Sequence, residues 1–296
     1  MPDTVQDTAS GVSNDHAIEN VIAAVGELPA SPAIVSTVMG LTSDLDSKVT
    51  DISKVLSADQ SLTAKVLKLS NSSFYGRSKG VKTLQEAILI LGFFTVRSMV
   101  VATSAHSMYM KEDKDGSKAK LWQHSLSSAV AARQVAAWCR HPQKEEVFIA
   151  ALLHDIGKLV LIQKMPQRFT EIVERVSSEG VSFREAEQEA LGFSHDQVAL
   201  VLLEKWSFPD LLCESIRFHH ELPKLPESGP PPMSHLISVG NSISKCLGVG
   251  FEASEIEKIV ESEAVKGLNI DQATLEEIVQ ASEEQYLAEI GIFEES

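Results

Sequence analysis

The chain of 296 residues is 44% hydrophobic and 23% charged, with a formal net charge of −15, the balance of a globular protein with a substantial core. Its length suits one large or two modest domains. The charge argues against nonspecific binding to nucleic acid or to an anionic membrane, because no basic surplus exists to displace counterions. It is also uneven: from Glu252 onward 13 acidic residues face two lysines, a net of −11, so the first 251 residues carry only −4. Such an acidic stretch reads as a solvated helix face. The N-terminus has neither a basic start nor an apolar core, and no apolar run reaches membrane-spanning length. A cytoplasmic protein with no nucleic-acid and no membrane partner is expected. Cys139, Cys213 and Cys246 are scattered, without metal or redox spacing.

Residues 1–14 are polar and aperiodic, which predicts a disordered tail. Ser31-Pro32 supplies a cap followed by proline at the first helical position, opening a helix through about Leu41. Asp46 or Ser47 starts the next, through Leu56. Leu62, Val66 and Leu69 then recur at helical spacing over 59–69. The stretch 71–82 is a turn-rich loop carrying Phe74 and Tyr75. Thr83 with Glu86 forms a capping-box pattern ahead of AILILG, and a second apolar segment runs from Phe93 to Met108. The charged run 111–120 marks a boundary.

Beyond that boundary, helices are predicted over 121–139, 144–161, 167–178, 182–191, 194–206 and 209–220, with Gly180 and Gly192 as stops. The stretch 222–232, LPKLPESGPPP, is a Pro-rich break. An apolar helix over 234–247 follows, then two acidic helices over about 253–264 and 274–290. Leu275, Ile278, Val279 and Tyr286 form the packing stripe of the last one. No alternating strand pattern occurs, and the fold class expected is all-α.

The most informative stretch is Ala150 to Leu161, AALLHDIGKLVL, where His154, Asp155, Gly157 and Lys158 interrupt an apolar run. A helix apolar on all sides and too short to cross a membrane belongs in a core. An adjacent His-Asp pair there must find partners, within the protein or in a divalent cation. His124 sits on another helix whose faces are both apolar or small. His195 opens a helix that Ser194 or Asp196 could equally cap. His219 and His220 close one, where imidazolium also complements the helix dipole. His16, His106, His141 and His235 are read as surface or loop residues, and Lys158 as reaching either a bound anion or solvent.

The order His124, His154-Asp155, His195, His219-His220 resembles the H…HD…D pattern of the HD superfamily of metal-dependent phosphohydrolases and the longer histidine ladder of the HD-GYP phosphodiesterases. By that resemblance His124, His154 and Asp155 would ligate a first metal, while His195, His219 and His220 would serve a second. Lys158 would meet the charge of a phosphate. A two-metal site of imidazoles with a bridging carboxylate activates water and clamps a phosphoryl group, and a nearby lysine stabilises developing charge. Two departures stand out. Asn241 falls where the last aspartate should be, and LPKLPESGPPP replaces the Gly-Tyr-Pro motif.

Both departures resemble the HD-related output domain (HDOD) family. The segments GELPASPAIVSTVMGL, DISKVLSADQSLTAKVLKLSNSSFYG and VKTLQEAILILGFFTVRSMV look like successive HDOD motifs, and the likeness covers roughly residues 20 to 245. Within them Arg77 and Arg97 are read as loop or surface arginines rather than an anion site. The resemblance implies a two-lobed all-α architecture: a helical lobe at 15–115, an HD-like lobe at 116–248 and an acidic helical extension at 249–296. It further implies a signalling or regulatory module, noncatalytic, acting through signalling proteins or a bound nucleotide or phosphate ligand. The alternative is a phosphohydrolase or phosphodiesterase using Asp155 and Lys158 on a nucleotide or cyclic dinucleotide. One or two ions of iron, manganese, nickel or zinc suit the donor set. No receiver or cyclase-type domain is visible, so a stand-alone bacterial protein is expected. The crevice between the lobes is the default ligand site.

Overall fold

The computed structural model describes residues 20, 23, 24, 26, 33–44, 46–71 and 80–294. The expected tail, the Ser31-Pro32 cap, His16, Phe74, Tyr75 and Arg77 lie outside the described residues. The architecture is all-α, with no strand among the described residues. In chain order the first helices are α1 (Ala33–Ser43), α2 (Val49–Ser57), α3 (Gln60–Ser70), α4 (Leu84–Leu91) and α5 (Phe93–Met110). There follow α6 (Ser117–Trp138), α7 (Lys144–Leu153), α8 (Ile156–Lys164), α9 (Pro166–Glu179), α10 (Phe183–Leu191), α11 (His195–Lys205) and α12 (Asp210–Arg217). The chain closes with α13 (Met233–Cys246), α14 (Ile256–Val260), α15 (Glu263–Gly267) and α16 (Gln272–Glu294). No described helix is long and apolar enough to cross a membrane.

Local chemistry sets several of the starts. The Asp59 carboxylate accepts the Leu62 N–H at 2.9 Å. Thr83 Oγ1 accepts the Glu86 N–H while Glu86 Oε2 accepts that of Thr83, a reciprocal box that satisfies two end donors. The helix expected to begin at 121 begins at Ser117 instead, because the Asp113 carboxylate accepts the N–H groups of Lys118 and Ala119. The charged run is therefore partly the cap of α6.

The central element is α6, against which α13, α7 and α16 all pack. Its Ser125, Ser127, Ser128, Ala129, Ala131 and Ala132 are buried and small. Gly240 of α13 packs so closely that an added Cβ would lie 2.6 Å from the Ser128 carbonyl oxygen. Pairing Gly240 with Ser128 and Ser244 with His124 fixes the two helices as antiparallel.

The last helix folds back onto α6 with Leu275, Ile278 and Tyr286 buried and Val279 at the margin. Arg133 donates to Glu289 at 2.6 Å inside this contact. The first acidic helix, expected over 253–264, is two short helices instead. Ser262 ends one and caps the other by accepting the Val265 N–H. From the N-terminal half, α5 packs on α6 and α7. Arg97 is buried there and paired with Glu146 at 2.7 Å, which corrects its reading as a loop or surface arginine.

Candidate metal centre

The helix expected over 144–161 is broken at His154-Asp155, between α7 and α8. Asp155 adopts φ −101°, ψ 12°, which lies outside the helical basin. The break turns both side chains toward one point. Two residues on, Gly157 lets α8 press against the start of α11: a Cβ there would stand 2.0 Å from the His195 carbonyl oxygen. Glycine is required at this position by contact, since its φ is not in the left-handed region.

Six side chains from four places in the chain meet here. Asp155 Oδ2 lies 3.5 Å from His124 Nε2 and 3.5 Å from His154 Nε2, and Oδ1 lies 3.2 Å from His195 Nε2. His195 Nε2 is in turn 3.1 Å from His220 Nε2. The His219 ring stands 5.1 Å from that of His154 and 3.9 Å from that of His220. The donor atoms fall into two groups, His124–His154–Asp155 and His195–His219–His220. One carboxylate faces both.

Hydrogen bonds on the far side of each ring decide which nitrogen is free. His154 Nδ1 is 2.6 Å from the Ala151 carbonyl, His219 Nδ1 is 2.6 Å from that of Ile216, and His124 Nδ1 is 3.1 Å from that of Val249. A carbonyl only accepts, so each Nδ1 carries the proton. His195 Nδ1 donates likewise to Glu187 Oε2 at 2.6 Å. Four imidazoles therefore present Nε2 lone pairs to the centre. His154 Nε2, His219 Nε2 and Asp155 Oδ1 are buried and have no hydrogen-bond partner among the described residues. Lone pairs of nitrogen facing carboxylate oxygens repel unless a cation lies between them.

This arrangement fits a divalent ion. Ligand atoms about 2.1 Å from a metal stand roughly 3.0 to 3.4 Å from one another, close to the separations seen between Asp155 and its histidines. Histidines that hold metal characteristically donate their other N–H to a carbonyl or carboxylate. Burial lowers the pKa of His124, His154 and His219 to about 4, and that of His195 and His220 well below the ordinary value, so the rings stay neutral and able to ligate. Burial alone would raise the Asp155 carboxyl, but the neighbouring His154 first, and then Lys158, hold it well below the usual range. Such a centre would hold His124, His154 and Asp155 on one ion and His195, His219 and His220 on a second. A bound ion supplies Lewis acidity and an activated water.

Lys158 points inward. Its Nζ donates to Asp155 Oδ2 at 2.8 Å and sits 4.3 Å above the Phe183 ring, with 4% of the residue exposed. The reading of a side chain reaching to solvent is therefore corrected: the buried carboxylate outbids water for the ammonium group. The centre is also covered. His124, His154, Asp155, His195 and His219 are 0–5% exposed, and only His220 is half-buried.

Several contributors gave no clear signal in the sequence. Glu187 reads as one more glutamate of FREAEQEAL, yet it is fully buried and burial lifts its carboxyl to about 8. Its position four residues after Phe183, beside Ala186, was the available hint. Ser244 donates to the His124 carbonyl at 3.4 Å, and Gly250, at φ +108°, lies so close that a Cβ would be 2.9 Å from His124 Nδ1. Ser194, not Asp196, is the cap of α11, and its N–H donates to Gln197 Oε1. Asn241 is buried on α13 one turn before Ser244, and its Oδ1 has no partner among the described residues. Of the histidines read as surface or loop residues, His141 does lie in the loop between α6 and α7, though buried, whereas His235 is buried on α13 and His106 is half-buried on α5 against Trp122.

Comparison with known proteins bears on the family and the fold. An uncharacterized protein of Treponema pallidum (strain Nichols) is 23% identical over 211 residues, which is 71% of this chain but 41% of that protein's length. The crystal structure of an HDOD domain protein from Geobacter sulfurreducens superposes with a TM-score of 0.80 at 22% identity, covering 94% of this chain and 97% of the other. A candidate phosphohydrolase from Shewanella amazonensis SB2B gives 0.74 at 23% identity, covering 93% and 98%. At these identities the structural likeness is one of fold. The HDOD domain profile matches residues 28–222, some two thirds of the sequence, and the chain belongs to the HDOD family.

Proposed function

We propose that this chain is a regulatory HDOD module in which a buried HD-type centre holds a divalent ion as a structural or sensing element. It acts through signalling partners or a bound ligand rather than by turning over a substrate. The observation that carries this reading is the cover over the centre: five of its six side chains are 0–5% exposed. Lys158, the group that would meet a phosphate, is spent on Asp155. Asn241 in place of a last carboxylate points the same way, because a neutral amide is a poor ligand for a hard ion.

A second reading is a metal-dependent phosphohydrolase acting on a nucleotide or cyclic dinucleotide. It is favoured by the fullness of the donor set, two groups of three with the Asp155 carboxylate facing histidines of both, and by the likeness to a candidate phosphohydrolase. Metal analysis of the purified chain, followed by assay on a generic phosphodiester and on cyclic dinucleotides, separates the two. Stoichiometric iron, manganese, nickel or zinc without turnover supports the regulatory reading. Turnover that disappears in Asp155→Ala replaces it with the enzymatic one. A chain that takes up none of these metals returns the histidines to the core and removes the metal from both readings.

A further inference from the structure

Five of the six side chains at the histidine centre are 0–5% exposed, so an ion held there must enter by a path that the closed structure does not offer. Against His124 the cover is not a helix but the loop 248–254, between α13 and α14. Both ends of this loop are pinned at one point. The Lys245 carbonyl accepts the N–H of Gly248 at 3.1 Å and that of Ser254 at 3.2 Å. A short loop whose ends are held together is an Ω-type surface loop. Beyond Gly248 it is held mainly by side chains. His124 Nδ1–H donates to the Val249 carbonyl at 3.1 Å, and Lys245 pairs with Glu252 at 2.8 Å. The Phe251 ring stands 5.5 Å from that of Phe169 and 6.0 Å from that of Phe183, with the Lys120 ammonium 5.0 Å away. No side chain of the loop is itself fully buried: Phe251 and Glu252 are half-buried and Ala253 is exposed. Gly248 and Gly250, at φ +70° and +108°, bracket Val249. So few buried contacts place the loop at the low-stability end of the fold.

We propose that the loop 248–254 is a lid over the first metal group, lifting from its anchors at Phe251 and Glu252 to admit a divalent ion to His124, His154 and Asp155. The purpose of the lid rests on the metal reading, whereas its motion does not. Because the ends share the Lys245 carbonyl, the loop lifts without unwinding α13 or α14. Lifting breaks the Val249–His124 bond and withdraws Phe251 from Phe183, the ring over which the Lys158 ammonium sits. Half-buried His220 gives the second group a partly open side of its own, so the lid serves the first group. The two ions then exchange at different rates while the lid is shut.

Diethyl pyrocarbonate, which acylates any unprotonated imidazole that it can reach, tests the motion in the metal-free full chain, with mass spectrometry to assign each histidine. His220 is expected to react first, and His124 at least roughly tenfold more slowly. Phe251→Ala should speed the reaction of His124 roughly tenfold, and Glu252→Gln by a smaller factor, since a half-exposed ion pair holds less. His235, buried at the far end of α13, should react as in the parent. In the zinc-loaded chain, the slowest phase of release to EDTA should quicken in both variants. His124 reacting at the parent rate in both variants, or His235 accelerating in step with it, would overturn the lid. A chain that takes up no zinc, iron, manganese or nickel removes the metal reading alone, and the histidine rates still decide whether the loop opens.

Discussion

Glu187 and His195 are joined twice through a single oxygen: Glu187 Oε2 accepts the backbone N–H of His195 at 2.9 Å and its Nδ1–H at 2.6 Å. The first bond fixes where α11 starts, and the second fixes which way the ring faces. A glutamate on a neighbouring helix thereby aims Nε2 at Asp155. Removing it in Glu187→Ala is expected to weaken metal binding about 10- to 100-fold, while Glu187→Gln, which keeps an accepting oxygen, loses less. Competition against a chelator of known affinity measures both. Unchanged affinity in the alanine variant would show that the ring needs no such support.

Gly157→Ala should destabilise the chain by about 3 kcal/mol or more, because α8 must move away from the His195 carbonyl and no flexible side chain is there to yield. Gly180→Ala is the useful contrast. Its φ is +69° with nothing within 4 Å, so its cost is conformational and closer to about 1 kcal/mol. Denaturant melts of the two variants separate steric from backbone strain, and equal losses would count against the close helix contact.

Lys158 shares Asp155 with any ion. Lys158→Met removes a positive charge from the centre while keeping the stem over Phe183. Metal affinity is therefore expected to rise, by about tenfold at the scale of one short-range charge interaction. A fall in affinity would mean that Lys158 orients the carboxylate more than it competes for it. Isothermal titration with zinc and manganese reads the sign directly.

The pair Arg133–Glu289 welds the last helix to α6, with both side chains almost fully buried and the guanidinium 4.4 Å above the Phe148 ring. Breaking one side, as in Glu289→Ala, leaves an uncompensated buried charge at a cost of about 3–5 kcal/mol. The double variant Arg133→Met/Glu289→Leu should recover much of that. Thermal unfolding of the single and double variants gives the coupling. A single variant as stable as the parent would show that the pair contributes nothing to holding α16.

In the metal-free chain the histidines set a direction with pH. His106, His124, His154 and His219 have folded pKa values of about 4 against an ordinary 6.5. The unfolded chain therefore takes up protons that the folded one refuses as pH falls through 6.5. Stability is fully retained above that value and declines toward pH 4, by at most about 1.4 kcal/mol per pH unit for each such group. Urea melts between pH 7.5 and 5 check this. Saturating zinc should lift the profile over the upper part of the range without changing its slope, since the rings it would bind are already unprotonated there, and an apo profile that is level or rises on acidification would contradict the burial of these rings.

The sequence by itself determined the helices and the family. Caps such as Asp59 and Thr83–Glu86 act within one turn, and apolar periodicity is read over a few turns, so both are written locally. The order of the histidines along the chain was enough to single out six side chains that do meet in space. Only the tertiary structure decided how they meet. The break at His154-Asp155, the inward turn of Lys158, the role of Glu187 and the antiparallel docking of α13 through Gly240 each depend on a neighbour far away in the chain. So does the seating of the loop 248–254 on His124. Burial makes the difference. Glu187 is one more solvated glutamate until α11 covers it, and Lys158 is a surface lysine until an unsatisfied carboxylate stands 2.8 Å away.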